Sequence, residues 1–574
     1  MPASITLRGR PRARWLLPPA VDPARVSGLR DALALPAELC AWLSTRGIDE
    51  PEAVKRYLRP ELGHLHPPGL MRDMDRASER IVRAIQSGEK ILVHGDYDVD
   101  GITSTTLLTR VLRAVGGNAT PFVPNRLSDG YDLGEAGVRA AVECGATLVV
   151  TCDCGTSAID AVAALKGKGI DVIITDHHLP GGPLPDAFAV LNPRRQDCEY
   201  PDKDLVAGGV VFKLAQSVVK QLGADLAIVA EKLDLVALAT IADVAPLRGE
   251  NRIFARHGLR RMRDSTIPGV RALIRASGLE GKELTAGRIG FILGPRINAT
   301  GRVARAMRGV ELLMTDDESE AMGIARELEE QNRTRQELDR ATLAEALGML
   351  DGVDYDNAHS LVLAREGWHP GVIGIVASRV VEQTGRPTLM IAIENGVGKG
   401  SGRSIPCFDL HGALTRCRHR FVRFGGHRAA AGITINAAEI DAFRDEFNAI
   451  ALSEITADDL APELRIDLEL PLAAASEDLL RIMRHCEPHG PGNPAPVFVS
   501  RGVRSEGVPR RVGEAGVRAR LVGDGGALDA ISWDLAPRMD TVDWSAPMDV
   551  AYRLERDDWN GRVRVQARIA DIRQ

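Results

Sequence analysis

Three aspartates at alternate positions, Asp96, Asp98 and Asp100, lie in the run His94-Gly95-Asp96-Tyr97-Asp98-Val99-Asp100-Gly101. Carboxylates this close repel one another and raise each other's pKa unless a cation stands among them. Hard divalent ions are the usual remedy, since Mg²⁺ and Mn²⁺ prefer carboxylate oxygens. On this stretch alone, a solvated acidic turn would look the same. Further along come Asp153 in Cys152-Asp153-Cys154-Gly155, the triplet Asp176-His177-His178, and Asp243 at the end of Thr240-Ile241-Ala242-Asp243. Taken singly, each acid reads equally well as a helix cap. Taken together they predict a dinuclear metal site. Carboxylate-rich ligation with one or two histidines favours Mn²⁺ or Mg²⁺ over zinc.

The segments between these groups say how they would meet. Ile91-Leu92-Val93 predicts a strand that ends just before the first aspartates, followed by a helix over residues 104–115. Strands are predicted over 147–151 and 171–175, with a helix over 158–168 between them. This alternation predicts a parallel sheet with helices on both faces. Ligands of such sheets collect at the carboxyl ends of the strands. Three successive strands therefore deliver metal-type ligands to one edge, and Asp243 closes an apolar helical segment as a fourth source.

The 574 residues suggest three or four domains at about 150 residues each. Hydrophobic content of 44% and charged content of 26% describe an ordinary globular protein. The formal net charge of -6 does not advertise a polyanion binder. Acids gathered around metals count as negative, however, while a local basic groove does the binding. Eight cysteines are scattered through the chain, and the lone Cys152–Cys154 pair is a weak zinc signal, so all eight read as reduced thiols. Residues 1–19 lack an apolar signal segment, and no apolar run approaches the roughly 18 residues of a membrane helix. A cytoplasmic protein without membrane contact is expected.

Residues 316–350 are rich in Glu, Ala, Leu, Arg and Gln and contain no proline, which fits one long helix or a packed helix pair. Asn332, Arg335 and Gln336 lie on it. A second lobe begins near Ser360. Its loop Lys399-Gly400-Ser401-Gly402-Arg403-Ser404 suits backbone approach to a phosphate, with arginine adding a charged contact. Residues 401–430 hold Arg403, Arg416, Arg418, Arg420, Arg423 and Arg428 against one acid, Asp409, with Phe408, Phe421 and Phe424 interleaved. That is the texture of phosphate tracking with base stacking, or else of a solvated basic face over core phenylalanines. Beyond about residue 460 the pattern turns to alternation. Asn560-Gly561 before Val563, Val565, Ala567 and Ile569 predicts a hairpin, and the several short strands suggest a small barrel. The stretch Pro488–Pro494 reads as a rigid loop at the barrel's edge.

In their order, the motifs His94–Gly101, Asp153-Cys154-Gly155, Asp176-His177-His178 and Ala242-Asp243 resemble those of the DHH phosphoesterase superfamily. Trp368-His369-Pro370-Gly371-Val372-Ile373-Gly374 and Gly425-Gly426-His427-Arg428-Ala429-Ala430-Ala431-Gly432 resemble its associated C-terminal domain. With Leu293-Gly294-Pro295-Arg296-Ile297-Asn298 and Pro488–Pro494, residues 45–574 are similar to the bacterial single-strand-specific exonucleases within that superfamily.

The resemblance implies an α/β protein. A helical segment over 1–75 would precede a parallel-sheet DHH domain over 76–305. A long connecting helix within 306–355 would lead to a smaller α/β DHH-associated domain over 356–455, and an OB-type barrel over 456–574 would bind nucleic acid. It implies two Mn²⁺ or Mg²⁺ ions, with Asp96 and Asp98 on one, Asp100, His177 and Asp243 on the other, and Asp153 bridging; His94 is an alternative ligand. His178 and His427 would contact the scissile phosphate. Ser401 and Arg403, helped by Arg126, would hold a 5′-terminal phosphate, and Arg296, Asn298 and Arg302 would line the path of the DNA. The implied activity is 5′→3′ degradation of single-stranded DNA to mononucleotides in recombination and repair, with single-strand-binding protein and a RecQ-type helicase as partners. Two rivals stand beside this reading. A phosphodiesterase of short oligonucleotides or cyclic dinucleotides would have no use for the extra barrel, and a non-catalytic binding protein would not need every metal-type ligand.

Overall fold

The structure is a computed structural model. It describes residues 13–574 other than 126–128, 131, 304, 524 and 558–563, and the backbone alone at 302 and 303. The chain divides into two compact units. One comprises Arg59–Arg335 with Glu487–Pro494; the other comprises the residues up to Leu58, Gln336–Cys486 and Ala495–Gln574.

The first unit is built on five strands, β1 (Lys90–Gly95), β2 (Asn118–Phe122), β3 (Leu148–Cys152), β4 (Asp171–Thr175) and β5 (Ala189–Leu191). All pair in parallel in the order β2-β1-β3-β4-β5. Their runs of Val, Ile and Leu are apolar on both faces, as strands covered by helices on two sides require. Ile91 and Val93 enter one core, with helices α1 (Val99–Ala114), α2 (Ala207–Gln221) and α3 (Leu233–Ala242). Leu92, between them, points to the opposite core with Val149, Val162 and Ile174, as the two-residue period of a strand dictates. The register is level at the carboxyl end, where Gly95 stands opposite Cys152 and Cys152 opposite Thr175. The residues that follow these strands therefore leave the sheet at one height.

After α3, a π-helical turn, Ile289–Leu293, leads into α4 (Gly294–Val303). Glu318–Gly348 then forms α5, one helix of 31 residues and about 46 Å. The alternative of a packed helix pair does not occur. The loop expected at the barrel's edge packs instead on the first unit. Leu247 N–H donates to Pro491 O at 2.6 Å, and the Arg256 guanidinium donates to Glu487 O at 2.7 Å.

In the second unit, β6 (Leu361–Glu366), β7 (Thr388–Glu394), β8 (Val397–Arg403), β9 (Phe421–Gly426) and β10 (Ala430–Asn436) form a mixed sheet in the order β9-β10-β8-β7-β6. It is flanked by α6 (Ile373–Thr384) and α7 (Ile440–Glu454). The strands β11 (Phe498–Ser505), β12 (Gly516–Gly523), β13 (Gly526–Ser532), β14 (Met548–Asp557) and β15 (Arg564–Arg573) close a five-stranded barrel, since β11 pairs with both β14 and β12. β14 and β15 are antiparallel; the turn predicted at Asn560-Gly561 lies outside the described residues. The N-terminal helices are part of this barrel's core, where Leu29, Leu39, Trp42 and Val54 pack with Phe498, Leu521, Tyr552 and Ile569. The strand Arg14–Leu16 pairs in parallel with Glu463–Arg465. All eight cysteines are free thiols. No helix among the described residues is long and apolar enough to cross a membrane.

Candidate metal centre

The level ends of β1, β3 and β4 bring Asp96, Asp153 and Asp176 to one edge of the sheet. Asp98 caps α1, its Oδ1 accepting the Gly101 N–H at 3.1 Å. Asp100, in the first turn, accepts the Ala207 and Gly208 N–H groups at the start of α2 (2.9 and 2.8 Å) and the Ser104 hydroxyl (3.0 Å). The positive end of α2 thus anchors this carboxylate. Gly208 is required there, because a Cβ would lie 2.7 Å from Ala239 Cβ and 3.3 Å from Asp100 Oδ1. Asp153 takes a left-handed φ of 68°, a conformation that costs a non-glycine residue free energy and clusters at functional sites.

Three sets of ligand atoms each lie within 4.8 Å of one another: Asp96, Asp98 and Asp153; Asp100, His177 and Asp243; and Asp153, His177 and His178. His177 ties the sets together, with Nε2 at 3.1 Å from Asp153 Oδ1 and 3.8 Å from both Asp100 Oδ2 and Asp243 Oδ2. All six residues predicted as metal ligands therefore meet. His94 belongs to none of these sets. It is fully buried behind the edge, with Nδ1 at 3.5 Å from Cys154 Sγ, and burial pushes its pKa down to about 4.

The electrostatics are those of a site built for cations. Asp153 Oδ1 is buried and accepts no hydrogen bond. No lysine or arginine among the described residues pairs with Asp98, Asp100, Asp153 or Asp243. Burial, and then repulsion from neighbouring aspartates, raises Asp153 well above the carboxylate range, Asp100 to about 7 and Asp243 to about 8. Burial and the charge of His178 push His177 down to about 3, so its imidazole is neutral and free to ligate. A nest of acids whose burial and mutual repulsion favour protonation, with a neutral imidazole among them, fits two divalent cations.

Asp176 is a buried acid at the same edge to which sequence reasoning assigned no role. Its Oδ1 accepts the His177 N–H (2.7 Å) and the His178 N–H (3.1 Å) and lies 2.7 Å from His178 Nδ1; its Oδ2 accepts the Thr156 N–H (3.0 Å). Burial works against a charged His178, but the hydrogen bond and charge of Asp176 prevail and raise it to about 9. Asn192 donates to the His178 carbonyl at 2.8 Å and to Thr156 Oγ1 at 3.1 Å, bracing the same loop. The adjacency of Asp176 to two histidines was the available signal; Asn192 had none.

The residues expected to meet DNA fare unevenly. Arg126 and the side chain of Arg302 lie outside the described residues. The Arg296 guanidinium is paired with Glu329 and donates to the Ile292 carbonyl, which ties α4 to α5. Asn298 Oδ1 accepts the Val99 N–H at 3.1 Å, and in this role it holds the aspartate loop. On β8, Arg403 reaches Ser401 Oγ at 3.3 Å and donates to the Gly402 carbonyl at 2.8 Å. A Cβ at Gly374, in the first turn of α6, would lie 2.8 Å from Ser401 Oγ and 3.2 Å from Arg403 Nη2. This glycine, not singled out from sequence, lets the helix N-terminus join the serine and arginine in a phosphate-type cradle. His427 is exposed in the turn between β9 and β10. Part of the basic, aromatic texture of 401–430 is structural. Arg416 pairs with Glu454, Arg420 pairs with Glu439 and Glu446, Phe408 is buried in the core, and Phe421 and Phe424 pack half-buried against it. Their acidic partners lie on or beside α7, beyond the window in which the arginines looked unopposed.

Comparison with known proteins follows the same divisions. The chain matches the DHH family, N-terminal domain, over residues 90–240, the DHHA1 domain over 357–452 and the RecJ OB domain over 466–571. It is 36% identical to the single-stranded-DNA-specific exonuclease RecJ of Salmonella typhimurium over 94% of this chain and 96% of that one. It is 34% identical to the RecJ of Bacillus subtilis over 96% of this chain and 70% of that one. RecJ of Thermus thermophilus, solved in complex with Mn²⁺, superposes with a TM-score of 0.85 at 32% identity, covering 99% of this chain and 80% of that one. Identity of this depth along nearly the whole chain is decisive: the chain belongs to the RecJ family.

Proposed function

We propose that the protein is an exonuclease that hydrolyses single-stranded DNA from its 5′ end to mononucleotides, using two Mn²⁺ or Mg²⁺ ions. The observation that carries this reading is the convergence of five aspartates and one neutral histidine at one edge of the sheet. Asp96 and Asp98 would hold one ion, Asp100, His177 and Asp243 the other, with Asp153 shared between them. When bound, the ions supply Lewis acidity, which lowers the pKa of water and neutralises charge on the leaving oxygen. The protein's own part is positional. Asp176 keeps His178 cationic through neutral pH, its Nδ1 held 2.7 Å from Asp176 Oδ1 and 3.9 Å from Asp153 Oδ1, where its charge would attract the scissile phosphate. The Gly208 and Ala207 N–H groups keep Asp100 from swinging out of the cluster. In the other unit, Ser401, Arg403 and the open turn at Gly374 would bind the 5′-terminal phosphate, and His427 would contact the scissile phosphate.

The names of the relatives support single-stranded DNA as the substrate. A cytoplasmic role in recombination and repair, alongside single-strand-binding protein and a RecQ-type helicase, extends the same reading. The test is a time course on single- and double-stranded DNA labelled at either end, with Mn²⁺, Mg²⁺ or a chelator. Loss from the 5′ end of single strands, abolished by chelation, is expected; loss from the 3′ end or equal attack on blunt duplex refutes it.

A further inference from the structure

Asp243 stands where α3 ends, and the chain that leaves it is held from outside. Val244 takes a left-handed φ of 59°, which for a β-branched residue is an outlier that its surroundings must enforce. The next residue, Ala245, is buried and packs with Ala239 on α3 and with Val206. The Ala239 carbonyl accepts the Asp243 N–H at 3.0 Å. Val206 directly precedes the Ala207 and Gly208 N–H groups that anchor Asp100. Ala245 is thus a wedge between the supports of two carboxylates assigned to the same ion.

Behind the wedge lies the Pro488–Pro494 loop. The Leu247 N–H donates to the Pro491 carbonyl at 2.6 Å. A Cβ at Gly490 would lie 2.7 Å from Leu247 Cδ1, and one at Gly492 would lie 2.9 Å from Pro246 Cβ and 3.4 Å from Leu247 N. Gly492 also has a left-handed φ of 70°, so the close approach needs glycine there twice over. The loop is stiff. Gly490 and Asn493 exchange both backbone hydrogen bonds at 3.0 Å, Asn493 Nδ2 donates to the Pro488 carbonyl at 2.8 Å, and three prolines fix φ. Its start is pinned to the helix Gly249–Arg263, where Arg256 and Arg252 donate to the Glu487 carbonyl at 2.7 and 3.2 Å. On the other side, the Pro246 carbonyl accepts the Arg248 N–H at 2.9 Å and Asn251 Nδ2 at 3.3 Å.

We propose that the Pro488–Pro494 loop is a positioning element for the ion held by Asp100, His177 and Asp243. By seating Pro246 and Leu247 it keeps Val244 in its strained turn and Ala245 in place, and so sets the Asp243 and Asp100 carboxylates. The proposal rests on the two-ion reading. Asp96 and Asp98 depend instead on the end of β1 and the start of α1, so their ion would be spared.

The test uses Gly492→Ala, which forces the two segments apart, and Asn493→Ala, which loosens the loop without a clash. Each is also combined with Val244→Gly, because glycine adopts the left-handed turn unaided. Mn²⁺ bound by the full chain is counted by electron paramagnetic resonance without DNA. The wild type should take up two ions. Gly492→Ala should lose about 10- to 100-fold in affinity for one of them, the range for groups that orient a ligand, and keep the other. Asn493→Ala should do the same to a smaller degree, and Val244→Gly should restore most of the loss in both. On DNA, the Mn²⁺ concentration for half-maximal degradation should rise by the same factor, with kcat at saturating Mn²⁺ retained. A loop that merely covers the surface would lower the urea midpoint and leave both ion affinities alone. That result, equal weakening of both ions, or no rescue by Val244→Gly overturns the proposal; if Gly492→Ala does not fold, the Asn493→Ala pair decides it. A wild type that takes up fewer than two ions refutes the two-ion reading itself, and this proposal with it.

Discussion

Replacing Asp153 by asparagine should stabilise the metal-free protein while destroying its response to metal. Asp153 is buried, and its ligand atoms stand within 4.8 Å of those of Asp96 and Asp98. At that separation and an effective dielectric constant of about 20, each ionised pair repels by about 3.5 kcal/mol. Proton uptake caps the strain, as the raised pKa of Asp153 records, leaving a net relief of about 1–3 kcal/mol on neutralisation. With about 2–4 °C per kcal/mol for a large domain, the unfolding midpoint in EDTA should rise by a few degrees. With Mn²⁺ at about 100 times its Kd, the wild type gains about 2.7 kcal/mol, and the variant should lose most of that gain. Nuclease activity should fall by more than the roughly 10- to 100-fold typical of residues that merely support a ligand. The assay is thermal unfolding in EDTA and in Mn²⁺, with end-labelled DNA degradation alongside. A variant that is destabilised in EDTA, still stabilised by Mn²⁺ and fully active would refute the metal-centre reasoning.

Three other outcomes follow from the geometry. Burial and mutual repulsion hold protons on Asp100 and Asp243 up to about 7 and 8 in the folded chain, whereas unfolded aspartates release them near pH 4. Stability of the metal-free protein should therefore be full below about pH 4 as far as these groups are concerned, and be lost as pH rises to 8; denaturant midpoints across that range would check it, and saturating Mn²⁺ should flatten the slope. Arg403→Lys keeps the charge but not the planar fork, so the preference for 5′-phosphorylated over 5′-hydroxyl strands should shrink by about 10-fold or more, as competition between the two substrates would reveal. Lys213 and Glu250 pair at 2.6 Å with both side chains buried; Lys213→Met strands the carboxylate and should cost about 3–5 kcal/mol in urea unfolding, with kcat of the folded protein unchanged.

Much of the catalytic unit could be read from local pattern. Apolar runs such as Leu148–Cys152, each followed at once by an acid, already imply a parallel sheet with its ligands at one edge, because parallel strands present their carboxyl ends together. What local pattern could not carry was partnership across long stretches of chain. Nothing near Arg296 in the sequence announced that Glu329, 33 residues on, would pair with its guanidinium. Arg416 and Arg420 looked unopposed until α7 and the turn before it supplied their acids. Trp42 and Tyr552 share a core although more than 500 residues separate them, and no periodicity within either segment announces the other. The sequence by itself determined which residue types could bind cations and which strands would carry them, since both depend on side-chain chemistry and on neighbours a few positions away. Only the tertiary structure decided which charges are left without partners and which apolar groups are left in water, because burial and pairing are set by residues the local sequence does not contain.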